Sequence, residues 1–155
     1  MKIKELIYHL KNYAPLAYAE DFDNVGLIVG DENQSIKGAL ISLDTTEDVV
    51  QEAIEHNCNL IVSFHPIIFS GIKKLNPDNY VNRAVIKAIK NDISIYAIHT
   101  ALDNAFHGVN RVICNKLGLK NTSILMPQAG TIKKLTTYVP KDNANQLREK
   151  LFKIG

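Results

Sequence analysis

The sequence predicts an α/β fold, a mainly parallel sheet covered by helices. Three observations carry that prediction. Four apolar runs, "VGLIVG", "GALISLD", "NLIVS" and "ISIYAIH", are continuous rather than alternating, as strands buried on both faces read. Helix-like stretches of about 10–15 residues separate successive runs after the second, the rhythm of βα units. Three of the runs end at a chemistry-bearing residue, Asp44, His65 or His99, and sites in open α/β sheets form at the carboxyl ends of strands.

The elements follow in order. "IKELIYHLKNYA" puts Ile3, Leu6, Ile7 and Leu10 on one helical face, and Pro15 argues against continuing. "VGLIVG" and "GALISLD" are the first two buried strands. "TTEDVVQEAIEHN" predicts a helix that Thr45 or Thr46 caps, with Glu47 and Asp48 favourable at its positive end. "NLIVS" is the third strand. "DNYVNRAVIKAIKND" predicts a helix with Val81, Val85, Ala88 and Ile89 on one side. "ISIYAIH" is the fourth strand, and "GVNRVICNKLGL" a helix ended by Gly118. Because no strand alternates, neither sheet face is expected to meet solvent.

The composition changes near "TSILMPQAGTIKK", where Pro127 and Gly130 read as linker punctuation. "KLTTYVP" then predicts a strand and "KDNANQLREKLFKIG" a helix with Leu147, Leu151 and Phe152 on one face. One strand and one helix cannot bury their apolar faces alone. The expected organisation is a domain over residues 1–130 and, over 131–155, the beginning of a second, truncated domain.

The 155 residues, 46% hydrophobic, suffice for one domain with a real core. Eighteen basic against 16 acidic residues give no field of the kind that drives nucleic-acid binding. Lys73-Lys74 and Lys133-Lys134 are too short to form a basic patch. Cys58 and Cys114 form no C-x-x-C pair, each falls in a helix-like stretch, and both suit small apolar packing in a reducing compartment. The amphipathic N-terminus is no signal sequence, and no run approaches the ~20 apolar residues of a membrane span. A soluble, cytoplasmic protein without membrane partners is expected.

His65, His99 and Asp103, joined by Asp44, would make a nitrogen/oxygen pocket if they met at one sheet edge. Such a pocket suits a divalent metal such as zinc, manganese or iron. The His99–Asp103 run is expected on a loop, where its spacing has no helical meaning. Ser63 is expected to cap a turn, and His107 to sit near a helix start at the surface. His9 and His56 lie on helices without partners in sequence. Neither G-x-x-x-x-G-K-[ST], G-x-G-x-x-G nor G-x-S-x-G occurs, so the common phosphate cradles and the serine nucleophile elbow are absent.

"DFDNVGLIVGD", "NLIVSFHPIIFSGIKKL" and "IYAIHTALDNAFHGVNRVICNKLGL" together resemble the Nif-three-like family, the GTP cyclohydrolase I type 2 homologues, over nearly all of residues 1–130. The resemblance implies an α/β fold and toroidal homohexamers with a dinuclear metal centre facing an internal cavity. It implies a metal-dependent, hydrolase-like protein acting on a small molecule that the motifs do not identify. The family's Ser-His-His-Pro signature stands here as Ser63-Phe64-His65-Pro66, so His65 matches one metal ligand and Phe64 replaces the other. Asp103 matches the aspartate ligand of His-Thr-x-x-Asp. His99, Asp23 and Asn24 match residues that line the pocket beside the metals. The family's later ligand pair, a histidine and a glutamate four apart, does not occur in this chain. The strand and helix after residue 131 resemble the opening of the family's inserted ferredoxin-like domain. The site is therefore expected to be impaired. The alternative is a non-catalytic binding or assembly protein, or an inactive fragment, that keeps the scaffold.

Overall fold

The apolar runs form a four-stranded sheet in this computed structural model, which describes residues 1–127 and 134–154. The strands are β1 (Gly26–Val29), β2 (Ala39–Ser42), β3 (Leu60–Ser63) and β4 (Ser94–Ala97), in the order β1-β4-β3-β2. β2, β3 and β4 are mutually parallel, and β1 runs antiparallel to β4. The sheet is therefore mainly parallel, as expected, with one reversed edge strand. Ser42, Ser63, Ala97 and Gly26 stand in register across it. The carboxyl ends of three strands and the amino end of the fourth thus share one edge.

Helices cover both faces. α2 (Glu47–Glu55) and α3 (Tyr80–Lys90) close one, where Val50, Ala53, Ala84, Val85 and Ala88 pack with Ile61 and Ile95. α1 (Ile3–Tyr13) closes the other, where Ile3 and Ile7 pack with Leu60, Val62 and Tyr96. Successive β3 residues alternate between these two cores, so a continuous apolar run is what the position demands. Each fully buried Leu, Ile or Val stabilises by about 1.5–3 kcal/mol relative to exposure. Thr46 caps α2 by accepting from the Val49 N–H, and Asn79 caps α3 by accepting from the Asn82 N–H. α5 (Val109–Lys116) ends near Gly118, whose φ of 70° is left-handed.

Several expectations need correction. The His99–Asp103 run is not a loop: it forms α4 (His99–Asn104), because Ala101 and Ala105 bury against the α1 side of the sheet. Ile89 is 51% exposed, and Ala84 instead joins Val85 and Ala88 on the buried face of α3. β2 is an edge strand, so Ile41 is 82% exposed and one sheet face meets solvent there. Cys58 lies in the connection between α2 and β3 rather than on a helix.

The chain divides into two units, Met1–Lys120 and Asn121–Gly155. The boundary expected at 130 falls outside the described residues. The strand expected over 134–140 does not form. A strand needs a pairing partner, and the second unit has none among its described residues. The expected helix does form, as α6 (Ala144–Ile154). Among the described residues no helix is long and apolar enough to cross a membrane.

Candidate functional site

The shared sheet edge carries the candidate site because the hydrogen-bond ladder runs past the strand ends. Phe64 N donates to Ser42 O at 3.0 Å, and His65 N to Leu43 O at 2.9 Å. Ile98 N donates to Ser63 O at 3.1 Å, and His99 N to Phe64 O at 2.9 Å. Ser63 Oγ donates to His65 O at 2.9 Å, which closes the turn after β3. These bonds fix the backbones from which Phe64, His65 and His99 project.

Two carboxylate–imidazole pairs stand side by side on that edge. His65 Nδ1 lies 2.7 Å from Asp44 Oδ1, and both side chains are about half exposed. His99 Nδ1 lies 2.9 Å from Asp23 Oδ1, and here the Asp23 side chain is fully buried. With each carboxylate accepting, each Nδ1 carries the proton of its pair. The His65 and His99 ring centres are 5.4 Å apart, edge to face. Phe64 meets both edge to face, at 5.0 Å from His65 and 5.4 Å from His99.

Asp23 is held from several directions. Thr100 donates to Oδ2 through its hydroxyl in a short hydrogen bond, and through its N–H at 3.1 Å. The Thr100 hydroxyl in turn accepts from Glu20 N at 3.0 Å. Asn24 N donates to Asp23 Oδ1 at 2.8 Å, and Asn24 Nδ2 donates to Ile68 O at 2.6 Å. Burial raises the Asp23 carboxyl, but the hydrogen bonds from His99, Thr100 and Asn24 outweigh it and hold it below the ordinary carboxylate value. His99 has a φ of 21°, unusual for a residue with a Cβ. The Asp23 bond and the start of α4 hold it there.

The edge thus brings together His65, His99, Asp44, Asp23 and Phe64, with Asn24 tying the β1 entry to Ile68. Asp103 sits on α4 with its carbonyl accepting from Asn110 Nδ2 at 3.0 Å, and its carboxylate has no partner among the described residues. The four-residue pocket expected from His65, His99, Asp103 and Asp44 does not assemble. Among the described residues no three His, Cys, Asp or Glu side chains are disposed to share an ion. Asp44 Oδ1 accepts from His65 Nδ1 rather than meeting Asp103 or His99. The two-ion set implied by the resemblance does not fit these residues, since Phe64 offers no lone pair and its ring lies against both imidazoles. The Thr100–Asp23 contact was not legible in the sequence, because 77 residues separate the pair.

The Duf34/NIF3 (NGG1p interacting factor 3) family model matches residues 1–154. A GTP cyclohydrolase 1 type 2 homolog of Staphylococcus aureus is 43% identical over all 155 residues of this chain and 42% of its own length. A crystal structure of a Bacillus cereus protein related to NIF3 matches with a TM-score of 0.78 at 36% identity, over 100% of this chain and 43% of that one. The Staphylococcus aureus protein SA1388 matches with a TM-score of 0.77 at 44% identity, over 83% of this chain and 41% of that one. The chain spans less than half the length of these relatives. Sequence and fold agree, and the chain belongs to the Duf34/NIF3 family.

Proposed function

We propose that this chain is a metal-binding GTP cyclohydrolase 1 type 2 homologue whose site takes one divalent cation, zinc, manganese or iron, in place of two. One observation carries the reading. Asp44–His65 and Asp23–His99 are carboxylate–imidazole pairs, the arrangement that fixes the tautomer and orientation of a metal-ligating histidine. Asp103 and His65 are the ligands that the resemblance supplies. When bound, such an ion supplies Lewis acidity and a water of lowered pKa. The chain's own residues orient the imidazoles and, through Phe64, exclude water from one side of them. Hydrolysis of a small molecule by the whole protein is supported by the relatives' names alone. The two free cysteines, Cys58 and Cys114, support a reducing, cytoplasmic setting.

Metal content per chain tests this, on protein purified without chelator and beside Phe64→His. The expected result is at most one ion per parent chain and more in Phe64→His. Two ions in the parent chain would sink the reading. Metal-free protein in both cases would favour the second reading, a non-catalytic binding or assembly protein.

That second reading has its own observation. Among the described residues the outer edge of β2 is unpaired, with Ile41 on it and Leu43 just after it exposed, and such edges invite pairing with another chain. Self-association as a homo-oligomer, a hexamer by the resemblance, is proposed on this ground. A monomer by light scattering across a wide concentration range would count against it.

A further inference from the structure

We propose that the connection between β3 and α3 holds a further binding site, for a small organic anion of the phosphate monoester class. The site goes beyond the metal-binding reading and does not rest on it.

The connection is long and held at both ends. Residues 64–79 carry no helix or strand, and loops of more than about 12–15 such residues are uncommon and usually functional. Near its start, Ile67 is buried in the core with Ile61 and Val85, and Ile68 O accepts from Asn24 Nδ2 at 2.6 Å. Near its end, the buried Asn82 donates through Nδ2 to Lys74 O at 3.2 Å. The stretch between these anchors and the first turn of α3 border an open cavity of about 520 Å³. That lies within the roughly 300–1,000 Å³ of small-molecule sites.

The wall of the cavity sets the ligand's charge. Lys73 and Lys74 stand on it, and neither has a carboxylate partner among the described residues. Asp78, the one acidic residue of the connection, is not part of the wall. The backbone N–H groups of residues 69–74 meet no acceptor among the described residues. Ammonium groups and unspent amide donors around a space without carboxylates attract an oxyanion. Two lysines match the roughly 1.5–2 negative charges of a phosphate monoester at neutral pH. The same wall sets the ligand's body. Phe69 and Tyr80 line the cavity with more than half of each residue exposed, so a flat apolar group has rings to pack against.

The test titrates phenyl phosphate into the whole chain, stripped of metal, and follows the backbone amides by nuclear magnetic resonance. Inorganic phosphate and benzyl alcohol are titrated beside it. Working without metal keeps the two readings apart. Failure here leaves the metal-binding reading standing, and a chain that holds no metal still shows this site. The expected result is saturable binding, tightest for phenyl phosphate, with shifts confined to residues 66–82. Lys73→Gln combined with Lys74→Gln should weaken it at least about tenfold, the worth of one hydrogen bond to a charged group. Lys90→Gln, at the other end of α3, should change it by less than about twofold, because salt screens distant exposed charges. Tyr80→Ala should narrow the gap between phenyl phosphate and inorganic phosphate. Binding that does not saturate, shifts centred on His65 and His99, or equal losses in Lys90→Gln and the double variant overturn the inference. So does undiminished binding in the double variant. If the double variant fails to fold, the shift map of the parent chain decides.

Discussion

Asp23 and His99 are 76 residues apart in the chain and 2.9 Å apart in space, and the carboxylate that joins them is fully buried. The pair ties the loop before β1 to the first residue of α4. It also sets the proton on His99 Nδ1, and so decides which nitrogen of that ring is free.

Removing Asp23 should therefore cost stability and change its pH dependence. Asp23→Ala leaves the His99 Nδ1–H and two Thr100 donors without their acceptor, at about 1–3 kcal/mol for each buried group left unpaired. A total loss of about 3 kcal/mol or more is expected by urea denaturation. The folded Asp23 carboxyl titrates below its ordinary value. Its stabilisation is then complete above the unfolded value, about 3.9, and is lost as pH falls through the folded one. Asp23→Asn should flatten that acid limb. An unchanged slope between about pH 4 and pH 2 would contradict this account.

Tyr96 makes the opposite case. It is fully buried on β4, its hydroxyl has no partner among the described residues, and burial pushes its pKa up to about 12. The folded state keeps the proton that the unfolded chain begins to lose near pH 10. Stability should then fall with rising pH by about 2–3 kcal/mol between pH 10 and pH 12. Tyr96→Phe removes both the titration and the unpaired hydroxyl. It should be neutral or stabilising by about 1 kcal/mol at pH 7, with a shallower alkaline limb. A Tyr96→Phe protein more than about 1 kcal/mol less stable would show that the hydroxyl is satisfied in solution.

Gly30 closes β1 against β4. Its φ is 101°, and a Cβ there would stand 2.6 Å from the Ser94 Cα. Gly30→Ala combines backbone strain with overpacking against main chain, about 2–5 kcal/mol together. Gly118 has a φ of 70° but open space around it, so Gly118→Ala should cost only about 1 kcal/mol. Thermal melts of the two variants side by side separate strain from contact. Equal losses would remove the Ser94 contact from the explanation.

The local pattern of the chain determined its elements. Helical spacing marked α1 and α3, continuous apolar runs marked all four strands, and Thr45 or Thr46 with Glu47 and Asp48 marked the start of α2, because periodicity and capping act over one or two turns. It also placed Asp44, His65 and His99 at strand ends. Tertiary structure alone decided that β1 runs antiparallel, that His99–Asn104 coils into a helix, and that β2 lies at the edge with Ile41 in solvent. It alone set Asp44 on His65, Asp23 on His99, and Phe64 against both rings. The physical reason is range. Strand direction and side-chain partners are fixed by hydrogen bonds between segments as many as 94 residues apart, and no local pattern records which segment will lie alongside.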